Sequence, residues 1–345
     1  MSKKFDLLLI LPILLLLVFS FFILKSVSPT LFPSYYWYFG LGLFAFIFFS
    51  LFDFEIVSAF SKYFYIISIV LLLITLVIGQ VTRGTVRWIP IGLLSLQPSE
   101  IVRPFLLIFF ANYLFEQRLT FKRLINVLIL MAIPLLLILV QPSLGVTALT
   151  AVGFLGLFLA SEISKKSILY IVCSILVTIP IVYLLLQPYQ KSRISAFLDP
   201  TSDPLGVGYN AIQSTISVGS GMFIGRGLGK GVGTQLSFLP ERHTDFIFAS
   251  VAEEMGFVGA IVLLLLTFIL LYRIISYSEH SINIPARTFL SGLFLTLFAQ
   301  VVVHVGMNMG LLPITGVPYP LVSAGGSSLL ATMTSLGIVI GTKRE

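Results

Sequence analysis

The chain has 345 residues, of which 57% are hydrophobic and only 10% charged, with a mean hydropathy of +1.05 and a formal net charge of +7. A composition this apolar excludes an ordinary soluble domain and a disordered chain, and it points to an all-α polytopic membrane protein, read as a single integral domain over 1–345. A pI near 9.5 would suggest a nucleic-acid partner in a soluble protein. Here the cations gather in short segments between apolar runs, where they report topology, so no nucleic acid is expected.

Taken in order, Lys3 and Lys4 precede a Leu-rich run with no A-x-A-like cleavage site, which predicts an uncleaved first span. A crossing needs about 20 apolar residues, and the runs near 7–24, 36–52, 63–80, 98–115, 124–140, 143–160, 167–187, 245–271, 288–311 and 320–341 predict about ten transmembrane helices. An even count puts both ends on one side. That side collects Lys3, Lys4, Lys62, Arg118, Lys122, Arg123, Lys165, Lys166, Arg273, Arg287, Lys343 and Arg344, whereas the short loops opposite hold only Lys25, Arg83 and Arg87. The positive-inside rule then places both termini in the cytoplasm. Segments 81–97 and 188–244 fall on the outer face, the second as a large extracytoplasmic loop between helices 7 and 8. Cys173 lies alone in an apolar run, and His243, His280 and His304 have no zinc-type spacing.

The outer segment 81–97 reads VTRGTVRWIPIGLLSLQ, in which Trp88 beside Arg87 suits an interfacial anchor. The next helix opens with Pro98 in its first turn, then Glu100, with Arg103 one turn on and Pro104 kinking the helix. That charge pair reads equally as a neutralised structural pair or as a substrate contact. Segment 188–244 carries GSGMFIGRGLGKGVGTQ, which fits neither G-x-G-x-x-G nor the phosphate-loop pattern. It is expected to be a mobile loop whose glycines allow close backbone approach, with Arg226, Lys230 and Arg242 forming a cationic cover over the site. No internal repeat of fixed period is visible.

The densest chemistry lies in FLPERHTDFIFASVAEEMGFVG, residues 238–259. Thr244 is a predicted N-cap and Asp245 the first helical residue. Asp245, Ala249 and Glu253 then step along one stripe, while Glu254 points away. Ionisable groups at the entrance of a membrane helix are costly, which makes them a functional-site hypothesis. The plainer alternative is that Asp245 only caps the helix among headgroups. Further on, His304 and Asn308 are spaced as interhelical hydrogen-bond partners. PYPLVSAGGSSLLATM predicts a close helix contact or a broken helix lining a cavity.

The blocks LPERHTDFIFASVAEEMGFVG, RWIPIGLLSLQPSE and PLVSAGGSSLL resemble the SEDS (shape, elongation, division and sporulation) family over essentially the whole chain, closer to its elongation than to its division members. The resemblance implies a peptidoglycan glycosyltransferase. It would polymerise lipid II on the outer face of the bacterial cytoplasmic membrane, with a class B penicillin-binding protein and the elongation machinery as partners. Carried over by motif, Asp245 is the essential acid and expected general base, and Glu253 is the second acid of its block. Trp88 is the Trp of the RWI motif and Glu100 the carboxylate of QPSE. Many members have Lys where this chain has Arg103, a change that keeps charge but not geometry. The chain also reads SAGG where many members place an aromatic, so no role is carried onto Ala324.

Joining a 4-hydroxyl to an anomeric carbon with loss of a polyprenyl diphosphate needs a base and positive charge for the leaving group. With the residues the resemblance carries over, the expected substrate-binding set is Glu100, Arg103, Glu253, Trp88, Arg87, Arg226 and Arg242. No cofactor is encoded with certainty. A divalent cation, Mg or Mn, is compatible with the carboxylates, but no motif names its ligands. Two rival readings remain. One is a lipid II flippase or transporter, for which only His304 and Asn308 offer midplane polar groups. The other is a non-catalytic scaffold for the penicillin-binding protein, which leaves the inward carboxylates unexplained.

Overall fold

The structure, a computed structural model, describes residues 6–82, 85–92, 94–116, 120–161, 169–170, 173, 180, 183–184, 186–200 and 206–344. Among them six helices are long and apolar enough to cross a membrane: Leu7–Val27, Pro29–Ser50, Ser61–Ile78, Phe121–Val140, Ile247–His280 and Ile284–Asn308. Shorter apolar helices cover Leu144–Ala160 and Gly326–Gly341, and Arg103–Phe115 is helical as well. Helices thus stand at every predicted span but 167–187, most of which lies outside the described residues.

The all-α expectation needs one correction. Segment 81–97 folds into a small antiparallel sheet of β1 (Gln80–Thr82), β2 (Thr85–Ile91) and β3 (Leu94–Leu96), in the order β1-β2-β3. The β-branched and aromatic TVRWI run favours extended backbone, and Gly92, at φ +60, makes the turn into β3. Segment 188–244 is also not a plain loop, since it carries the helices Pro188–Leu198 and Val207–Ser220 and the short helix Val232–Gln235.

The chain forms two compact units. The first comprises 1–42, 192–276 and 297–332, and the second 43–191, 277–296 and 333–345. In the first unit, Leu7–Val27 and Ile247–His280 run antiparallel and are pinned at both ends. Asp6 caps the first helix through the Leu8 amide at 3.1 Å and also takes Arg273 Nε at 2.9 Å. At the other end Ser26 Oγ donates to Glu254 at 2.5 Å, and Arg242 Nε donates to the carbonyl of Val27 at 3.0 Å. A guanidinium at that carbonyl also complements the negative end of the helix dipole.

The helix Ile247–His280 breaks at Gly256, where φ is +66 and ψ −164. A regular helix would pair the amides of 257 and 258 with the carbonyls of 253 and 254. Those four groups are bonded instead to the segment 222–227. The amides of Phe257 and Val258 donate to Met222 and Phe223 at 2.9 and 3.2 Å, while the amides of Arg226 and Gly227 donate to the carbonyls of Glu253 and Glu254 at 3.0 and 2.9 Å. Only glycine lets the two backbones come so close. A Cβ on Gly225 would lie 2.3 Å from the carbonyl oxygen of Glu254, and one on Gly256 2.3 Å from the amide nitrogen of Gly225.

In the second unit, Tyr65, Phe109, Phe110 and Phe154 form a ring cluster with centroids 4.4–5.8 Å apart. Gly153 and Gly156 give room to the helix carrying Gly292, since a Cβ on Gly156 would lie 2.8 Å from the Ser291 carbonyl. Asn112 holds Ser58 through its carbonyl and hydroxyl.

Candidate active site

Asp245 stands in the turn Glu241–Phe246 ahead of the helix that starts at Ile247, not in its first helical turn. The preceding carbonyls are drawn to tertiary partners. Ala324 N donates to His243 O at 2.8 Å, Ser323 Oγ to Thr244 O at 2.7 Å, and Asn308 Nδ2 to Asp245 O at 3.0 Å. The first carbonyl to accept a helical bond is that of Phe246, from Ser250 at 3.0 Å. Thr244, expected as the N-cap, instead turns its hydroxyl back to Glu241.

Asn308 is the hub of this turn. Its Nδ2 also donates to His304 O at 2.7 Å, its Oδ1 accepts from Ala249 N at 3.0 Å, and its own carbonyl takes Ser214 Oγ at 2.9 Å. The side chain is fully buried, so those bonds fix both the amide and the turn. Of the two polar residues expected to bridge helices, Asn308 does so. His304 instead meets the carbonyl of Val317 at 2.7 Å, edge-on to Tyr319. The irregular stretch before Gly326 thus wraps the Asp245 turn, and Gly326 makes the close contact foreseen there. A Cβ on it would fall 2.2 Å from the Tyr38 ring.

Arg193, on Pro188–Leu198, is the residue that sequence reasoning passes over. Its Nη1 donates to Ile314 O at 3.3 Å. Gly316 adopts φ +71, and a Cβ there would lie 3.5 Å from Arg193 Nη1 and 3.5 Å from Asp245 Oδ2. A guanidinium and a carboxylate therefore flank one glycine. Arg193 also lines a largely apolar cavity of about 320 Å³, together with Phe197, Ile212, Ile216 and Leu312 among others. No local signal could have found Arg193, because it lies in a segment that reads as a loop and no motif surrounds it.

Glu253 and Glu254 are both buried, yet they do not divide as their helical phase predicts. Glu253 receives the amides of Gly233 and Thr234 at 2.8 and 3.0 Å, one on each oxygen, and so caps the short helix Val232–Gln235. Glu254, expected to face a neighbouring helix or lipid, takes Ser26, Thr234 and Gln235. Both acids thus hold the same short segment, 233–235. Arg242 is engaged with Val27 and Ser237, while the Arg226 side chain is exposed.

The remaining expected residues belong to the second unit. Glu100 lies in the short helix Pro98–Ile101 and Arg103 opens the next one, so the kink falls at Val102. Their charges meet at 3.0 Å with both side chains buried, as a charge pair whose angle does not make a directed hydrogen bond. Gln97 Nε2 donates nearby to Ser99 and Ser143. Arg87 and Trp88 sit half-buried on β2. Among the described residues no group of three His, Cys, Asp or Glu side chains gathers as a metal site.

A family model for cell cycle proteins of the FtsW/RodA/SpoVE type matches residues 2–345. The peptidoglycan glycosyltransferase MrdB of Escherichia coli K12 is 40% identical over 289 residues, 83% of this chain and 78% of that protein. The probable peptidoglycan glycosyltransferase FtsW of Buchnera aphidicola is 36% identical over 289 residues, 81% of this chain and 74% of that protein. Among solved structures, one described as the structural coordination of polymerization and crosslinking by a peptidoglycan synthase complex superposes with a TM-score of 0.84 at 32% identity, over 99% of this chain and 98% of that one. The rod shape determining protein RodA of Thermus thermophilus superposes with a TM-score of 0.75 at 27% identity, over 99% and 97%.

Proposed function

The chain belongs to the FtsW/RodA/SpoVE cell cycle protein family, and from that membership we propose that it is a peptidoglycan glycosyltransferase that polymerises lipid II. It acts at the outer face of a bacterial cytoplasmic membrane during elongation, with both termini in the cytoplasm. A class B penicillin-binding protein is its partner, a reading supported by the likeness to the synthase complex.

The observation that carries the chemistry is the pairing of Asp245 and Arg193 about Gly316. The acceptor 4-hydroxyl attacks the anomeric carbon of the donor sugar, and its proton passes to the Asp245 carboxylate. The carbon–oxygen bond to the diphosphate breaks, and the polyprenyl diphosphate leaves with the bonding pair. Arg193 presents a fork of donors to phosphate oxygens, the geometry that suits a diphosphate in both states of the reaction. Asn308 holds the turn, so the base is positioned before substrate arrives. In the first unit Arg226 and Arg242 serve as contacts for headgroup and substrate, and in the second Arg87 and Trp88 on β2 and the charge pair of Arg103 with Glu100 are assigned substrate contacts of their own. Glu253 acts through the outer segment it caps. Among the described residues no three His, Cys, Asp or Glu side chains gather that would hold Mg or Mn, and no step above runs through a metal ion.

The test is purified protein with lipid II in detergent, alone and with a class B partner. Glycan polymer that disappears in Asp245→Asn supports the reading. Lipid II movement across vesicles without polymer would replace it with a flippase, and partner binding with neither activity would leave a scaffold.

A further inference from the structure

The segment 221–228, GMFIGRGL, reads as an aqueous Gly-rich loop, but its surroundings in the first unit are those of a membrane-buried element. The amides of Phe257 and Val258 and the carbonyls of Glu253 and Glu254, freed by the break at Gly256, are paired with it, and Gly225 N closes it back onto Gly221 O at 2.8 Å. These bonds satisfy the carbonyls of Met222 and Phe223 and the amides of Gly225, Arg226 and Gly227, which lowers the cost of seating the segment in hydrocarbon. Its side chains face outward: Met222, Phe223 and Ile224 are 81%, 67% and 80% exposed. Phe257 and Val258, on the helix at the same level, are exposed too, and the Phe223 and Phe257 rings meet at 5.7 Å. Below them the exposed stripe continues through Ile261, Val262 and Leu265.

The level is set by the charges. On Ile247–His280 the uncharged stretch Met255–Tyr272 spans roughly 27 Å at helical rise, close to the thickness of a hydrocarbon core. Glu254 and Arg273 bracket it, each tied to an end of Leu7–Val27. Phe257 and Val258 thus lie just inside one hydrocarbon boundary, and the hydrogen bonds hold Met222, Phe223 and Ile224 beside them. The exposed Arg226 and Lys230 follow directly, placed to reach lipid phosphates from the boundary.

We propose that residues 221–228 form a re-entrant turn seated among the acyl chains of one leaflet, docked on the broken helix and anchored by Arg226 and Lys230 at the headgroups. This does not rest on the glycosyltransferase reading. It fixes the depth of the segment whose neighbours include the Glu253 and Glu254 anchors. The acyl chains are the assigned occupant because the face continues the lipid-facing stripe of a spanning helix.

Single cysteines at Phe223, Ile224, Val258 and Lys230, in a Cys173→Ser background of the full chain, test it. Each is labelled with an environment-sensitive fluorophore in phosphatidylcholine–phosphatidylglycerol vesicles and quenched by acyl-chain nitroxides or by aqueous iodide. Labels at 223 and 224 are expected to match the one at 258, with blue-shifted emission, strong nitroxide quenching and loss of iodide quenching, while the label at 230 responds to iodide. The first three side chains are exposed, so the substitutions spare the packing, and Val258 gives an independent reading of the helix. Labels at 223 and 224 that follow 230 would place the turn in water and overturn the proposal. Labels silent to both quenchers would assign the face to a protein partner and overturn it equally, as would iodide quenching at 258.

Discussion

At Asp245 the fold uses the main chain and leaves the carboxylate to the reaction. Asn308 binds its carbonyl, so Asp245→Asn keeps the turn while removing the proton acceptor. Polymerisation by the purified variant is expected to fall by about 10² or more, with an unchanged thermal melt. Near-normal turnover would remove Asp245 from the mechanism. Arg103→Lys should be tolerated better than Arg103→Ala, because the contact with Glu100 is a charge pair and not a directed bond. Equal, severe loss in a lipid II assay would contradict that. The two adjacent acids should separate by partner chemistry. Glu253 accepts two backbone amides, which cannot reverse, so Glu253→Gln sets an amide donor against an amide and costs about 1–3 kcal/mol. Glu254 meets the hydroxyls of Ser26 and Thr234, which can turn to accept, so Glu254→Gln should lower the melting temperature less. Paired melts decide it, and the reverse order would show that these hydroxyls are locked as donors.

At the scale of elements, the docked turn and the broken helix form one device whose glycines matter for different reasons. Gly225→Ala and Gly256→Ala each press a methyl into the opposing backbone at positive φ, and each should cost about 1–3 kcal/mol or more. The double variant should cost less than the two singles together, because both damage the same contact. Gly227 also has positive φ, but a Cβ there meets only the flexible Lys230 side chain at 3.4 Å, so Gly227→Ala should cost about 1 kcal/mol of backbone strain. Thermal melts of the four variants in one detergent check the ranking.

Across the whole molecule the family, the apolar helices and the charge distribution agree on a multi-pass membrane protein. The orientation is tested by labelling Lys230→Cys, in a Cys173→Ser background, with a membrane-impermeant thiol reagent. Intact cells should label, and labelling only after lysis would overturn both the topology and the outer placement of the site. In the first unit the salt bridge Arg273–Asp6 and the bond Ser26–Glu254 hold two antiparallel helices at both ends of their apolar stretches. Two spanning helices are thereby kept in register by polar contacts at their ends.

The sequence alone determined the membrane class, the positions of the long apolar helices and the HTDFIFA block, because hydropathy, charge and motif identity can be read along one dimension. Glu100 and Arg103 were legible as a pair because they lie one turn apart. The kink beside them was legible because Pro104 has no amide to give the carbonyl of residue 100. Only the tertiary structure decided where the Asp245 helix begins, since its first carbonyls are taken by Asn308 and Ser323 from another part of the chain. Helical phase separated Glu253 from Glu254, but both turn to the same segment, 233–235, and Gly256 ends the regular helix just beyond them. Arg193 reaches the side of Asp245 because Gly316 leaves space between them. Such placements depend on contacts between residues distant in the chain, and a one-dimensional pattern carries no information about those.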